Sequence, residues 1–263
     1  MLIKKWDKLP EFMKNDAVRP YYEHLRKKNF SLFIKRVFDF LVSTIMLLIL
    51  SPVFIILAIA IKIDSKGPVF YRQVRVTQYG KKFKIFKFRT MVQNADAIGA
   101  HVTAKADARI TKVGKFIRKC RLDEVSQLID VWRGKMTFVG TRPEVPEFVD
   151  KYTPEMMATL LLPAGVTSKA SIFYKDEDEI LAKCEGETSE VYLNEILPEK
   201  MKYNLQAIKE FSLFSELKTM FQTVGAVLKK GEEPDENIDE EIKDDISCEV
   251  TEEVVDELID KGE

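Results

Sequence analysis

Residues 40–61, FLVSTIMLLILSPVFIILAIAI, run for 22 positions without a charge. As a straight helix the stretch measures about 33 Å, against roughly 30 Å of hydrocarbon in a bilayer, so it is long enough to cross a membrane. It does not read as a cleavable signal peptide, because it begins about forty residues in and no small-residue cleavage motif follows. Ser51-Pro52 interrupts it near the middle. Proline removes a backbone donor and crowds the carbonyl four residues earlier, that of Leu48, so a kink or a break is expected there. The Ser51 hydroxyl is placed to bond back to the carbonyl of Leu47 or Leu48, satisfying an acceptor that lipid cannot. Each half is then about 17 Å long, which enters one leaflet without crossing the bilayer.

The flanking charges bear on the choice between a span and a hairpin. Arg26, Lys27, Lys28, Lys35 and Arg36 lie upstream, and Lys62, Lys66, Arg72 and Arg75 downstream. Basic residues favour the cytoplasmic side, so both ends compete for it. A re-entrant hairpin satisfies both ends; a single-pass anchor with a proline kink is the other form these residues allow. Asp39 is expected to pair with Lys35 and Arg36 at the headgroup level.

With 46% hydrophobic and 32% charged residues the chain is too apolar to be wholly disordered. His24 and His101 with Cys120, Cys184 and Cys248 form no CxxC, HExxH or close cysteine set, which argues against structural zinc, haem and a disulfide scaffold. The net charge of −1 hides an asymmetry: residues 231–263 hold 16 acids against two lysines, leaving 26 acids and 39 basic residues in the rest. A body this basic seeks anions, whether nucleic acid, phospholipid headgroups or phosphorylated substrates.

Residues 1–29 are polar with Trp6, Phe12, Tyr21 and Tyr22 interspersed, which suits an interfacial segment with aromatic anchors or a loosely held arm. Residues 68–76 and 82–90 alternate β-branched and aromatic residues around a turn with Gly80, the pattern of a hairpin. Residues 112–120 and 123–133 read as helices, the second opened by acids and closed by Gly134. Helical patterns return at 198–209 and 213–228 after an irregular middle. In the acidic tail, apolar residues every fourth position from Ile238 to Leu258 permit a helix with a narrow stripe, although a solvated tail is the simpler reading.

The densest polar stretch is DARITKVGKFIRKCRLDEVSQLIDVWRGKMTFVGTRP, residues 107–143. Asp123 and Glu124 are adjacent, and neighbours on a regular helix point about 100° apart; in the irregular turn of a helix start they can converge on one cation or phosphate. Arg109, Arg118, Arg121, Arg133 and Arg142 supply planar donors suited to phosphate oxygens. Read structurally, Asp123 is an N-cap and Glu124 a first-turn acid.

Blocks recur in a recognisable order: KRVFD at 35–39, the SP break, GPVFYRQVR at 67–75, KFRTM at 87–91, RITKVGKFIRK at 109–119, LDE at 122–124, VGTRP at 139–143 and AGVTSKASI at 164–172. Together they make the chain resemble the bacterial sugar transferases, the monotopic polyprenyl-phosphate phosphoglycosyl transferases, from Lys35 to about Leu228. Thr77, Ser126, Lys135 and Thr141 depart from residues common in that family, and none removes the acidic pair. The resemblance implies transfer of a sugar-1-phosphate from a UDP-sugar to a membrane polyprenyl phosphate such as undecaprenyl phosphate, releasing UMP. It implies Asp123 as nucleophile forming a covalent phosphosugar intermediate, Glu124 as its acid/base partner, and Mg2+ held by both carboxylates and the diphosphate. Arg89, Arg118 and Arg142 are the implied diphosphate contacts, with Arg75 and Lys87 as weaker candidates.

The expected architecture is α+β and mostly helical: an interfacial arm at 1–33, a re-entrant helix at 34–66 broken at Ser51 and Pro52, a catalytic domain with a short β-hairpin and interfacial helices at 67–230, and an acidic tail at 231–263. The several membrane helices that precede the catalytic region in larger relatives are not seen here, so the minimal form is expected. The expected location is the cytoplasmic face of a bacterial inner membrane, with membrane lipids and later glycosyltransferases as partners. A lipid-bound scaffold without turnover is the alternative. A single-pass protein binding nucleic acid is disfavoured, because the cations sit in acidic and membrane-facing motifs, and no nucleic-acid partner is expected.

Overall fold

The computed structural model describes residues 3–93, 95, 108–174 and 188–228. The acidic tail, His101, Cys184 and Cys248 lie outside them. The chain divides into a compact unit of Met1–Gly225 and a second, Ala226–Glu263, of which residues 226–228 are described.

The described residues of the first unit are mostly helical, with two small sheets. After a short helix α1 (Arg19–Lys27) comes α2 (Asn29–Asp64), 36 residues with Pro52 inside it. Of the two outcomes expected at Pro52, the break does not occur: α2 is helical throughout, and the Ser51 hydroxyl donates to the Leu48 carbonyl at 2.8 Å. Among the described residues α2 is the one helix long and apolar enough to cross a membrane.

One stripe of α2 packs on the unit from end to end. Leu32, Lys35, Asp39 and Ser43, spaced three or four residues apart, are buried, and Leu57 and Ile61 continue the stripe. Val42, Met46, Leu47 and Leu50 pack with Phe83, Ile85, Leu128 and Val131; Val53 and Phe54 pack with Phe88 and Ile117. The opposite face is apolar and bare, from Phe30 (76% exposed) through Leu48 and Ile49 to Ile63 (82%). An exposed apolar strip this long marks a membrane or partner surface.

Polar side chains fix α2 laterally. Asp39 does not pair with Lys35 or Arg36. It is buried and accepts from the Thr137 hydroxyl at 2.6 Å and the Phe138 N–H at 3.4 Å. Lys35 donates to the Val139 carbonyl at 2.9 Å and to Glu216, and Arg36 to the carbonyls of Val131 and Trp132. The expected headgroup cluster is therefore a set of long-range ties, because these side chains lie on the stripe that faces the protein.

Strands β1 (Phe70–Thr77) and β2 (Lys81–Phe88) form the expected antiparallel hairpin, Phe70 opposite Phe88 and Thr77 opposite Lys81. Its turn needs positive φ at Tyr79 (60°) and Gly80 (71°). A second pair, β3 (Met136–Val139) and β4 (Ala164–Thr167), is parallel and has no counterpart in the sequence pattern. The N-terminal aromatics correct another expectation. Tyr21 and Tyr22 are buried with Leu25, Met13 and residues of the helix Leu197–Lys209, so these two belong to the core and are not interfacial anchors, while Phe12 stays exposed.

Candidate active site

Helix α3 (Lys112–Lys119) begins where Thr111 accepts from the Gly114 N–H at 3.0 Å and Asp64, at the end of α2, accepts from the Val113 N–H at 2.9 Å. Gly114 is required: a Cβ there would lie 2.0 Å from the Thr90 carbonyl oxygen. The helix ends in a Schellman arrangement, with Leu122 N–H bonded to the Ile117 carbonyl and Arg121 N–H to that of Arg118. Arg121 occupies the left-handed position (φ 52°) that glycine usually fills, so the backbone is strained just before the acidic pair.

Asp123 and Glu124 follow in a turn and not in the first turn of a helix. The Asp123 carbonyl accepts from the Phe88 N–H at 2.9 Å and from the Ser126 hydroxyl at 3.3 Å. Being tied to the end of β2, this peptide cannot continue a helical ladder. A 3-10 turn (Val125–Gln127) intervenes, and the helix expected at 123–133 shrinks to α4 (Leu128–Trp132), closed by Gly134 at φ 72°.

The two carboxylates have different surroundings. Glu124 accepts from Lys87 Nζ at 3.0 Å on Oε1 and from Arg142 Nη1 at 3.0 Å on Oε2, with Arg142 Nη2 also on Oε1. Burial alone would raise its pKa, but the charges and hydrogen bonds of Arg142 and Lys87 outweigh burial and hold it well below the usual carboxylate range. No side chain donates to the Asp123 carboxylate among the described residues. Its pKa is raised, first by burial and then by the charge of Glu124, while Lys87 and Arg118 act against the rise.

The structure thus brings together Asp123, Glu124, Lys87 and Arg142, from β2, the turn and the loop after β3. Arg118 stands nearby, its Nε donating to the Thr90 hydroxyl at 2.9 Å. Arg89 is engaged elsewhere: its Nη atoms donate to the carbonyls of Ser65 and Lys66, both at 2.7 Å, and to the Ser65 hydroxyl, closing the end of α2. Arg75 lies behind Arg142, donating to Gln73 and to the Pro143 carbonyl. Ser51 and Pro52 remain on α2. Sequence reasoning missed Glu144, Tyr192 and Lys200, which form a buried network with Arg75; only the position of Glu144 directly after TRP could have suggested it.

Among the described residues no group of three or more His, Cys, Asp or Glu gathers. Asp123 and Glu124 are the hard oxygen donors of the site. A carboxylate has about four lone-pair sites, and the three bonds to Glu124 leave one on Oε2, so the pair fits Mg2+, which binds one or two carboxylates alongside phosphate oxygens.

Three kinds of relative share this region. The family model for bacterial sugar transferase matches residues 30–230. The UDP-N-acetylgalactosamine-undecaprenyl-phosphate N-acetylgalactosaminephosphotransferase of Aeromonas hydrophila is 34% identical over 202 residues, 74% of this chain and 44% of that protein. The UDP-glucose:undecaprenyl-phosphate glucose-1-phosphate transferase of Klebsiella pneumoniae is 35% identical over 196 residues, 72% of this chain and 39% of that protein. The exopolysaccharide production protein ExoY of Rhizobium meliloti is 30% identical over 208 residues, covering 73% of this chain and 84% of its own. The aligned region therefore spans less than half the length of the first two relatives. With 201 of its 263 residues inside the matching model, the chain belongs to the bacterial sugar transferase family.

Proposed function

We propose that this chain transfers a sugar-1-phosphate from a UDP-sugar to a membrane polyprenyl phosphate, releasing UMP, as the first membrane step of glycan assembly. The observation that carries the reading is the divided acidic pair: one carboxylate clamped by two cations, its neighbour unclamped and raised in basicity.

In this reading Asp123 attacks the sugar-bearing phosphorus of the donor. The bond to the UMP oxygen breaks and an aspartyl-phosphosugar forms. A phosphate oxygen of the polyprenyl acceptor then attacks the same phosphorus, forming the polyprenyl-diphospho-sugar and returning the Asp123 carboxylate. Each step exchanges one anionic oxygen for another, so neither requires a proton. An ionised Glu124 held by Arg142 and Lys87 is a weak base, and we assign it the task of holding those two cations beside Asp123 in place of an acid/base role. Lys87, Arg142 and Arg118 lower the repulsion that a carboxylate meets at a diphosphate. When bound by Asp123, Glu124 and the donor phosphates, Mg2+ supplies further charge neutralisation.

The membrane reading rests on α2. Its stripe holds one compact unit from Leu32 to Asp64, whereas a spanning helix would carry its two ends to opposite faces. We infer that α2 enters and leaves one leaflet, bending at Ser51-Pro52, with the catalytic unit on the cytoplasmic face of the inner membrane. The exposed apolar residues Phe214 and Phe221 of the helix Leu213–Leu228 suit an interfacial element beside it.

The test is UMP release by the purified full chain with undecaprenyl phosphate, Mg2+ and a panel of UDP-glucose, UDP-galactose and UDP-N-acetylgalactosamine. One donor should be turned over, and chelation should stop the reaction. Cysteines placed at residues 30 and 63 should label from the same side of sealed vesicles; labelling from opposite sides refutes the membrane reading.

A further inference from the structure

Behind the site lies a group of buried charges that the proposed chemistry does not use. Glu144 (7% exposed) accepts from the Tyr192 hydroxyl at 2.6 Å; Lys200 (4%) donates to that same hydroxyl at 3.1 Å and stands 4.0 Å from the Glu144 carboxylate. Arg75 Nη1 lies 3.8 Å from Glu144 on the other side and donates to the Pro143 carbonyl at 3.1 Å. Buried ion pairs are weak sources of stability, since apolar residues of similar volume often serve as well. Fixing one conformation is the better-attested use of such groups.

The conformation at stake is that of Arg142. The loop that carries it leaves β3 at Val139 and is pinned before Arg142 by Gly165 N–H to the Thr141 carbonyl, 2.8 Å. After Arg142 the pins are Arg75 on Pro143, the Val76 N–H on the Glu144 carbonyl at 2.9 Å, and the Tyr192 hydroxyl on the Glu144 side chain. Tyr192 opens a π turn, Tyr192–Ile196, ahead of the helix that carries Lys200. In a regular α-helix residues eight apart sit about 80° apart in azimuth, and the wider turn is where that offset can be absorbed.

We propose that Glu144, Tyr192 and Lys200 are positioning residues for the transfer: they hold the far side of the Arg142 loop, so that the guanidinium meets Glu124 in two-point register beside Asp123. The inference rests on the reading of function given above. Among the described residues none of the three is hydrogen-bonded or ion-paired to the acidic pair, whose side-chain donors are Lys87 and Arg142, and their effect passes through Arg142. Small displacements of a charge-stabilising group lower rates steeply, so loosening this loop slows the first half-reaction.

The test uses the full chain with Tyr192→Phe and Lys200→Gln, each alone and combined with Arg142→Lys. Single-turnover UMP release is read at excess enzyme, together with the donor KM and the thermal midpoint. Leu205→Ala, buried on the same helix, serves as a structural control. The expected result is a roughly tenfold slower release for each single variant, and less than a twofold further loss when Arg142 is already lysine. Leu205→Ala should lower the midpoint, and its effect on the rate should multiply with that of Arg142→Lys. Rates at the wild-type level in either folded variant, or losses that multiply fully with Arg142→Lys, overturn the inference. A wild-type chain that releases no UMP overturns the functional reading and this inference with it; an active wild type with multiplying losses overturns the inference alone.

Discussion

Replacing Gly165 by alanine tests how closely two backbones must cross for the Arg142 loop to exist. Gly140 N–H donates to the Thr167 carbonyl at 2.9 Å, and Gly165 N–H to that of Thr141 at 2.8 Å, so β4 and the loop after β3 are laced together. A Cβ on Gly165 would lie 2.1 Å from the Gly140 oxygen, 2.3 Å from its nitrogen and 2.5 Å from its carbonyl carbon. Ordinary contact begins at 3.4 Å, so the two segments must part by about 1.3 Å. Every obstructing atom is backbone and no rotamer change relieves it, which puts the destabilisation at the upper end for overpacking, about 3 kcal/mol. The same displacement carries Thr141 and Arg142 away from Glu124, and a shift near 1 Å is enough for roughly a hundredfold loss of rate. Urea unfolding gives the first quantity and UMP release the second. Gly225→Ala is the internal control: nothing lies within 4 Å of its Cβ position, so it should leave the rate alone and gain up to about 1 kcal/mol of helix stability. If Gly165→Ala keeps wild-type stability and rate, the close crossing does not hold the loop and the reasoning fails.

Other expectations follow from the same geometry. Asp123→Asn should stabilise the fold at neutral pH by on the order of 1 kcal/mol in chelator-treated protein while abolishing turnover. The folded pKa of Asp123 is raised, so the burden of its charge is full above that raised value and fades as pH falls from it to the ordinary aspartate value; melting curves of both proteins across that window check the sign. Lys35→Met leaves Glu216 buried without its cation and should cost about 3 to 5 kcal/mol in unfolding experiments, most of which Lys35→Met combined with Glu216→Leu should recover. Arg89→Lys should lower the thermal midpoint by loosening the end of α2 and leave the donor KM unchanged, whereas a raised KM would return Arg89 to the diphosphate.

The hairpin was legible because its alternation is long enough to have a period and Gly80 marks the turn. Helix Leu213–Leu228 was legible for the same kind of reason. The parallel pair β3 and β4 was not: four residues each are too few to show alternation, and their pairing joins segments 28 positions apart through a close crossing at Gly140 and Gly165 that composition does not announce. The acidic pair was found by motif, but its surroundings were not. Lys87 and Arg142 converge on Glu124 from separate parts of the chain, and a lone carboxylate in a sequence carries no mark of which cation will reach it. Charge near the membrane segment misled in a related way. Lys35, Arg36 and Asp39 are spaced for helical pairing, and that local pattern gave way to partners on β3, α4 and the helix Leu213–Leu228 once the stripe was buried. Tyr21 and Tyr22 looked amphipathic in an otherwise polar arm and proved to be core, since a few aromatics are enough to dock an arm onto an apolar groove.

The most direct measurement is intact-protein and peptide mass spectrometry of the full chain incubated with its UDP-sugar and Mg2+ while polyprenyl phosphate is withheld. The account predicts one phosphosugar on the peptide holding Asp123, absent from Asp123→Asn and lost again when acceptor is added. Normal turnover with no adduct, or with the adduct on another residue, contradicts it.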